Sequence, residues 1–270
     1  MLRLSTLLIL VLTITATLPA QSVADDPKAF WERMITAKGG RARLHAIDSL
    51  VLHKDGREAR PRDPGRPLGE VHDTWVYQFP DRFWIWSDTR PSRPDAFSVL
   101  VWNGQTRLRW SSQGGSAARK SQYEPSKDFN DYILARDQVM YLLETRFIQP
   151  KPLQVERDAV GKTALLHATA RGFSTILYTV DLDTLLVREV SVTSPLTGTM
   201  PDGRPFPPES TPYVLSFEDY RAVEGIQMPM RYTGSYRLAW EFNPKLDPTL
   251  FETAPDGVTS RDAWKKYLRK

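Results

Sequence analysis

Thr74-Trp75-Val76-Tyr77-Gln78-Phe79-Pro80-Asp81-Arg82-Phe83-Trp84-Ile85-Trp86-Ser87 is a pair of aromatic and β-branched runs folded around Pro-Asp. Residues of this kind favour a pleated surface, and so short a connection forces two strands to run antiparallel. With Pro80-Asp81 as a two-residue loop, Tyr77 faces Trp84 and Trp75 faces Trp86. Opposed aromatics at that spacing pack on each other. Val76, Gln78, Phe83 and Ile85 then form the other face. A second hairpin follows at Asn103-Gly104, a strong short-range hairpin signal. Its register groups Phe97, Val99, Val101, Thr106, Leu108 and Trp110 on one side. Ser98, Leu100, Trp102, Gln105, Arg107 and Arg109 lie on the other. The first side is the more apolar and is predicted to be the buried one.

Outward from these hairpins the pattern stays mostly one of strands. Toward the N terminus, 50–53 reads as a strand, after a helix that opens at Asp25-Asp26-Pro27 with an acidic cap and Pro in the first turn. Phe30, Trp31, Met34 and Ile35 make one helical stripe, Gly39-Gly40 ends it, and 41–47 forms a further short turn. Toward the C terminus, 128–147 has mixed helical spacing and predicts a helix or helix pair, closed by Pro150 and Pro152. Strand-like runs follow at 153–157, 163–169, 173–180, 185–193, 213–220, 226–236 and 238–242. A Pro-rich loop interrupts them at 195–212, and Leu250-Phe251 is a closing apolar anchor. The fold class expected is α+β. One large, strongly curved antiparallel sheet of about ten strands wraps around two or three helices that cover its apolar face.

The chain has 270 residues, with 36 Lys and Arg against 32 Asp and Glu, 4 His and no Cys. Without Cys there are no disulfides, thiolate metal sites, Cys nucleophiles or N-terminal Cys lipidation. A formal charge of +4 is too small to argue for nucleic acid as a partner. Met1-Leu2-Arg3 followed by an apolar run and Ser22-Val23-Ala24 reads as a secretory signal peptide cleaved after Ala24. The expected organisation is a signal peptide at 1–24, one domain at 25–255 and a basic tail at 256–270. No later apolar run is long enough to span a bilayer, so the mature chain is expected in a periplasm or outside the cell.

Enzyme motifs are missing. There is no G-x-S-x-G elbow, phosphate-binding loop or H-E-x-x-H. His45, His53, His72 and His167 are scattered. His53 and His72 fall on neighbouring strands and could approach each other, and His167 is placed opposite Ile176. Asp181-x-Asp183 has the spacing of a hard-cation pair but also the ordinary composition of a tight turn. The expectation is therefore no catalysis, no cofactor and no metal. The aromatic faces carry the functional content. Trp31, Trp75, Tyr77, Trp84, Trp86, Val99, Val101, Leu108 and Trp110 are either a filled core or the walls of a groove for a lipid or acyl chain. Such a chain gains roughly 0.8 kcal/mol per CH₂ on burial. Arg57, Arg60, Arg62 and Arg66, with Arg261, Lys265, Lys266, Arg269 and Lys270 in the tail, could meet an anionic membrane surface or an acidic envelope protein.

Several stretches resemble exported proteins related to the outer-membrane lipoprotein carrier and sorting proteins, the LolA-like superfamily. These are Gly39-Gly40 with Leu44, Ile47, Ser49 and Leu50, then Tyr77-Gln78-Phe79-Pro80-Asp81-Arg82-Phe83, and Val101-Trp102-Asn103-Gly104. Phe217-Glu218-Asp219-Tyr220-Arg221-Ala222-Val223-Glu224-Gly225-Ile226-Gln227-Met228-Pro229 and the closing segment to Leu250-Phe251 complete the set. The resemblance implies an unclosed half-barrel of about ten to eleven antiparallel strands holding helices on its concave side. It also implies a periplasmic, non-enzymatic role in lipid or lipoprotein trafficking. The rival is an envelope interaction module with the same fold and a filled core. Processing after Ala24 predicts that the exported protein starts at Asp25, which intact-mass measurement of the secreted form tests; a mass retaining 1–24 contradicts it.

Overall fold

The computed structural model describes residues 26–57, 70–88, 97–111, 127–193, 212–232, 236–252 and 260–269. The segment read as 1–24 and the loop at 195–212 up to residue 211, with Arg60, Arg62, Arg66 and Lys270, lie outside them. The chain opens with α1 (Pro27–Lys38) and α2 (Arg41–His45). Asp26 caps α1 by accepting from Lys28 N–H at 3.1 Å, with Pro27 in the first turn. Gly39 ends α1 at φ +136°, and a Cβ there would lie 2.6 Å from the Gly225 carbonyl oxygen. Only glycine accommodates both that torsion and that approach.

Five strands follow: β1 (Ser49–Arg57), β2 (Glu70–Gln78), β3 (Arg82–Asp88), β4 (Phe97–Trp102) and β5 (Arg107–Ser111). After α3 (Lys127–Asp137) and a π-helical turn over Gln138–Leu142 come β6 (Lys151–Arg157), β7 (Thr163–Ala170), β8 (Phe173–Asp181) and β9 (Val187–Thr193). β10 (Tyr213–Val223), β11 (Ile226–Tyr232) and β12 (Tyr236–Phe242) complete the set. Among the described residues these twelve strands form one antiparallel sheet in the order β5-β4-β3-β2-β1-β12-β11-β10-β9-β8-β7-β6. Two meanders meet where β1 pairs β12, and β5 and β6 remain as separate edges, so the sheet is open. It nevertheless bends around its filling. One continuous apolar cluster takes buried residues from α1, the π-helical turn and strands as far apart as β4 and β6.

The hairpin at Pro80 differs from the sequence expectation. Gln78 pairs Arg82, which makes Phe79-Pro80-Asp81 a three-residue loop, with Phe79–Pro80 cis. Tyr77 therefore faces Phe83, Val76 faces Trp84, Trp75 faces Ile85 and Thr74 faces Trp86. One extra loop residue moves every side chain of β3 to the other face relative to β2. The expected cluster of Trp75, Tyr77, Trp84 and Trp86 is split. Trp75 and Tyr77 pack into the concave core, Trp84 and Trp86 into a second core on the convex face.

At Asn103-Gly104 the slip is two residues: Val101 pairs Leu108 and Val99 pairs Trp110. An even slip preserves the face, so Phe97, Val99, Val101 and Leu108 stay together, on the convex side with Trp84 and Trp86. Asn103 caps the turn, accepting from Gln105 N–H at 3.0 Å and Thr106 N–H at 2.7 Å. The opposite side of this hairpin, expected to be exposed, is covered as well: Trp102 is buried and Leu100 packs into the concave core.

The roof of the convex core is the C-terminal end. Leu246, Leu250 and Phe251, around a 3₁₀ turn (Pro248–Phe251), lie on it together with Trp264 from a second 3₁₀ turn (Ala263–Tyr267). The 260–269 segment is thus seated on the sheet by a fully buried tryptophan. Trp84→Ala or Trp86→Ala is expected to cost about 3–5 kcal/mol. A double-mutant cycle should show Trp84 coupled to Trp264 and additive with Tyr77. The reverse pattern in urea denaturation contradicts the observed register.

Candidate functional site

On the concave face the interior is built by α1 and by the irregular segment after α3. Trp31 from the α1 stripe packs on Tyr178 of β8 at 5.6 Å between ring centroids. Tyr141, in the π-helical turn, sits between Phe217 of β10 at 5.6 Å and Trp240 of β12 at 5.1 Å. Tyr178 Oη donates to the Val139 carbonyl at 3.1 Å, satisfying one of the acceptors the turn leaves open.

This segment is pinned at both ends by buried acids. At its start, Asp137 accepts from Tyr77 Oη and, at 2.9 Å, from Arg136 Nε. Burial, followed by the neighbouring Asp137 charge and hydrogen bond, raises the Tyr77 phenol well above its ordinary value. At its end, Glu144 is 2% exposed and accepts from Trp31 Nε1 at 3.1 Å and Arg41 Nε at 2.6 Å, with His45 Nε2 at 3.0 Å. Burial pushes the Glu144 carboxyl up, but the bonds from Arg41 and Trp31 outweigh it and hold it below the usual range. Gln138 and Thr145 close the segment on itself through Thr145 Oγ1 donating to Gln138 Oε1 at 2.7 Å. Between the pins, Leu143 takes φ +70° and ψ −55°, a region that costs a non-glycine residue about 1–3 kcal/mol.

Beside the first pin is a buried lysine. Lys54 of β1 follows Leu50 and Leu52 on the concave face and is 3% exposed. Its Nζ lies 3.1 Å from the Trp75 ring centroid, 5.6 Å from that of Tyr232 and 6.0 Å from that of Tyr141. Desolvation lowers its pKa to about 8, against the pull of Asp137 and Asp73. Asp73, its cross-strand partner, is pushed up by burial and pulled back by Lys54. A second buried lysine, Lys38 at the end of α1, lies 5.3 Å from the Tyr220 ring and is lowered to about 7 by burial alone.

Of the nominated groove residues, the structure brings Trp31, Trp75 and Tyr77 together on the concave face. Trp84, Trp86, Val99, Val101 and Leu108 belong to the convex core instead. Trp110 pairs Val99 in the ladder, and its side chain lies outside the described residues. The histidines do not pair with each other: His53 Nδ1 meets Thr74 Oγ1 at 3.0 Å, and His72 Nδ1 meets Asp55 Oδ1 at 2.7 Å. His167 faces Leu177, not Ile176. Arg261 is engaged internally, donating to Asp55 at 2.5 Å, and Lys265 pairs Asp262 at 3.0 Å. Asp181 forms a turn, accepting from Asp183 and Thr184 N–H and pairing with Arg188. Among the described residues no group of three or more His, Asp or Glu converges as metal ligands.

Lys54, Arg136, Asp137 and Glu144 escaped the sequence reading, although one signal was available for Lys54. It continues the Leu50-Leu52 parity of a strand, as Asp73 continues that of Tyr77 and Trp75. A cavity of about 680 Å³ lies elsewhere, where β9 and β10 diverge beside Asp181, Arg188, Phe217 and Tyr220.

No family model matches the chain, and no curated protein matches it. Among solved structures it is similar to a DUF1329 family protein from Desulfovibrio piger. That pair is 15% identical over 84% of this chain and 97% of the other, with a TM-score of 0.43. It is also similar to a LolA superfamily protein from Nitrosomonas europaea, 12% identical over 81% of this chain and 96% of the other, with a TM-score of 0.44.

Lys38 and Lys54 hold their protons less tightly folded than unfolded. Between their lowered values of about 7 and about 8 and the ordinary 10.5, the unfolded chain binds more protons. Stability therefore rises with pH from about 7 to about 9.5, until the tyrosines, kept protonated by the fold, reverse the trend. Lys38→Met and Lys54→Met should each flatten the rise and leave the protein as stable or more stable at neutral pH. Urea midpoints measured across that range test this; midpoints that are flat in the wild type contradict it.

Proposed function

We propose that this is an exported periplasmic protein that binds a lipid or acyl chain against the concave face of its half-barrel. The observation that carries the reading is the nature of the interior filling. Here the centre of the concave face is occupied by a short π-helical turn with a strained Leu143, held by ionic contacts at Asp137 and Glu144. π-helical turns and strained residues are uncommon and concentrate where a segment has work beyond packing. Beneath it lie Trp31, Trp75, Tyr77, Phe217, Met228 and Trp240, enough apolar surface for an acyl chain.

Export rests on the pattern of 1–24, and no helix among the described residues is long and apolar enough to cross a membrane. The motif resemblance to lipoprotein carriers and sorting proteins is in keeping with this role. With binding as the function, no catalytic group is required.

Native mass spectrometry of the mature protein, with uptake of a fluorescent fatty acid, tests the proposal. Lipid should co-purify, and the wild type should take up the probe. Tyr141→Ala, which removes the ring between Phe217 and Trp240, should raise uptake severalfold; Trp84→Ala, on the convex side, should leave uptake per folded molecule unchanged. A ligand-free protein that takes up no probe, in the wild type or in Tyr141→Ala, overturns it in favour of a filled-core envelope module.

A further inference from the structure

Lys54 is a buried cation on the concave face that the fold leaves without an ion pair, although Asp137 and Asp73 act on it at longer range. Arg136 is paired with Asp137 at 2.9 Å, and Arg41 with Glu144 at 2.6 Å. Among the described residues, the ammonium of Lys54 reaches no carboxylate within ion-pair distance and no hydrogen-bond acceptor. Its neighbours are the faces of Trp75, Tyr232 and Tyr141. Aromatic faces attract a cation, but they do not replace the acceptors that three N–H donors had in water. Asp73 is its Cα partner across the ladder and still forms no ion pair with it, and Asp73 Oδ1 is itself buried without a hydrogen-bond partner. The position is also specific. Lys54 shares the concave side of β1 with Leu50 and Leu52, and its partner on β12, Leu238, belongs to the same apolar cluster. A cation at the end of an apolar surface matches an amphiphile, with its tail along the surface and its head on the cation.

We propose that the Lys54 ammonium, framed by Trp75 and Tyr232, receives the anionic head of the amphiphile bound on the concave face. An oxyanion supplies the acceptors that the aromatic frame lacks, while the frame keeps water from competing. The inference rests on the lipid-binding reading and adds the charge of the ligand. Lys38 provides a control, since it is equally buried but lies against Tyr220, away from this frame.

The test uses the full mature protein and displacement of a fluorescent fatty acid by three amphiphiles of equal chain length: palmitate, palmitamide and hexadecyltrimethylammonium. Palmitate should bind about tenfold or more tightly than palmitamide near neutral pH. Lys54→Met should abolish that preference while leaving palmitamide binding unchanged. Lys54→Arg should retain it, and Lys38→Met should not affect it.

A second measurement needs no variant. The wild-type preference for palmitate should decline as pH passes through about 8, where Lys54 loses its proton. Of the other groups facing it, Arg136 and the phenols of Tyr77, Tyr141, Tyr213 and Tyr232 are all raised, away from that window, and the Asp73 carboxyl, pushed up by burial, is pulled back by Lys54; Asp137 also faces it. Equal binding of palmitate and palmitamide overturns the role of Lys54 and leaves lipid binding standing. Preference for hexadecyltrimethylammonium also overturns it, because the aromatic frame would then be a site for cations. Failure of all three to displace the probe, or of the probe to bind, defeats the lipid-binding reading together with this one.

Discussion

Side chains of a strand alternate between two faces, and over β1–β4 both faces of the sheet are covered. The central residues of these strands are thereby assigned to one of two cores by parity alone. The concave core takes Leu50, Leu52, Tyr77, Phe83 and Trp102 with the helices. The convex core takes Val51, Val76, Trp84, Val99 and Val101 with the C-terminal segment. A slip of one residue anywhere in β1–β4 would exchange these sets and bring Lys54 and Asp73 to the convex side, so register is strongly specified. The tips of the two hairpins help to hold it. Gly104 takes φ +88°, a region that favours glycine, and a Cβ there would also require the Asp81 carboxylate, 2.6 Å away, to move.

The concave side carries the charges, and their arrangement follows from the cost of burial. An isolated buried ion loses several kcal/mol of hydration, so acids in such a place survive by hydrogen bonding. Asp137 and Glu144 do so, with Tyr77, Arg136, Trp31, Arg41 and His45 as partners. These bonds join the segment between α3 and β6 to α1, α2 and β2, which are distant in sequence. They locate an irregular segment that its own backbone hydrogen bonds would not hold. The same electrostatic logic makes Lys54 conspicuous, because burial lowers its proton affinity and no carboxylate is in ion-pair contact with it.

The two faces suit different tasks. The convex core is sealed by Trp264 and by the contact of Arg261 with Asp55, and it holds the C-terminal segment as part of the domain. The concave core mixes aromatic rings with ionic anchors around a turn in a sparsely populated backbone state. A ligand could replace that turn without breaking the strand ladder, since no ladder hydrogen bond passes through it. The basic residues of the C-terminal end contribute less free charge than their number suggests, because Arg261 and Lys265 are paired within the fold.

The α1 stripe of Phe30, Trp31, Met34 and Ile35, its cap at Asp26 and its end at Gly39 were legible because they are local: a 3.6-residue period and a few capping residues define them. The succession of strands and their antiparallel sense were legible for the same reason, through alternation and short turns. Face assignment at Pro80 was not, because it hangs on whether the loop holds two residues or three, and both suit Phe-Pro-Asp. The candidate site was legible only in part. Trp31, Trp75 and Tyr77 announced an aromatic wall, whereas Asp137, Glu144 and Lys54 acquire meaning through partners as far as 113 residues away, as with Trp31 and Glu144. Local periodicity determined most of the elements and the α+β class with its antiparallel sheet. Tertiary structure decided which face each aromatic joins and which charges meet, because those depend on long-range register and on how far each group is removed from water.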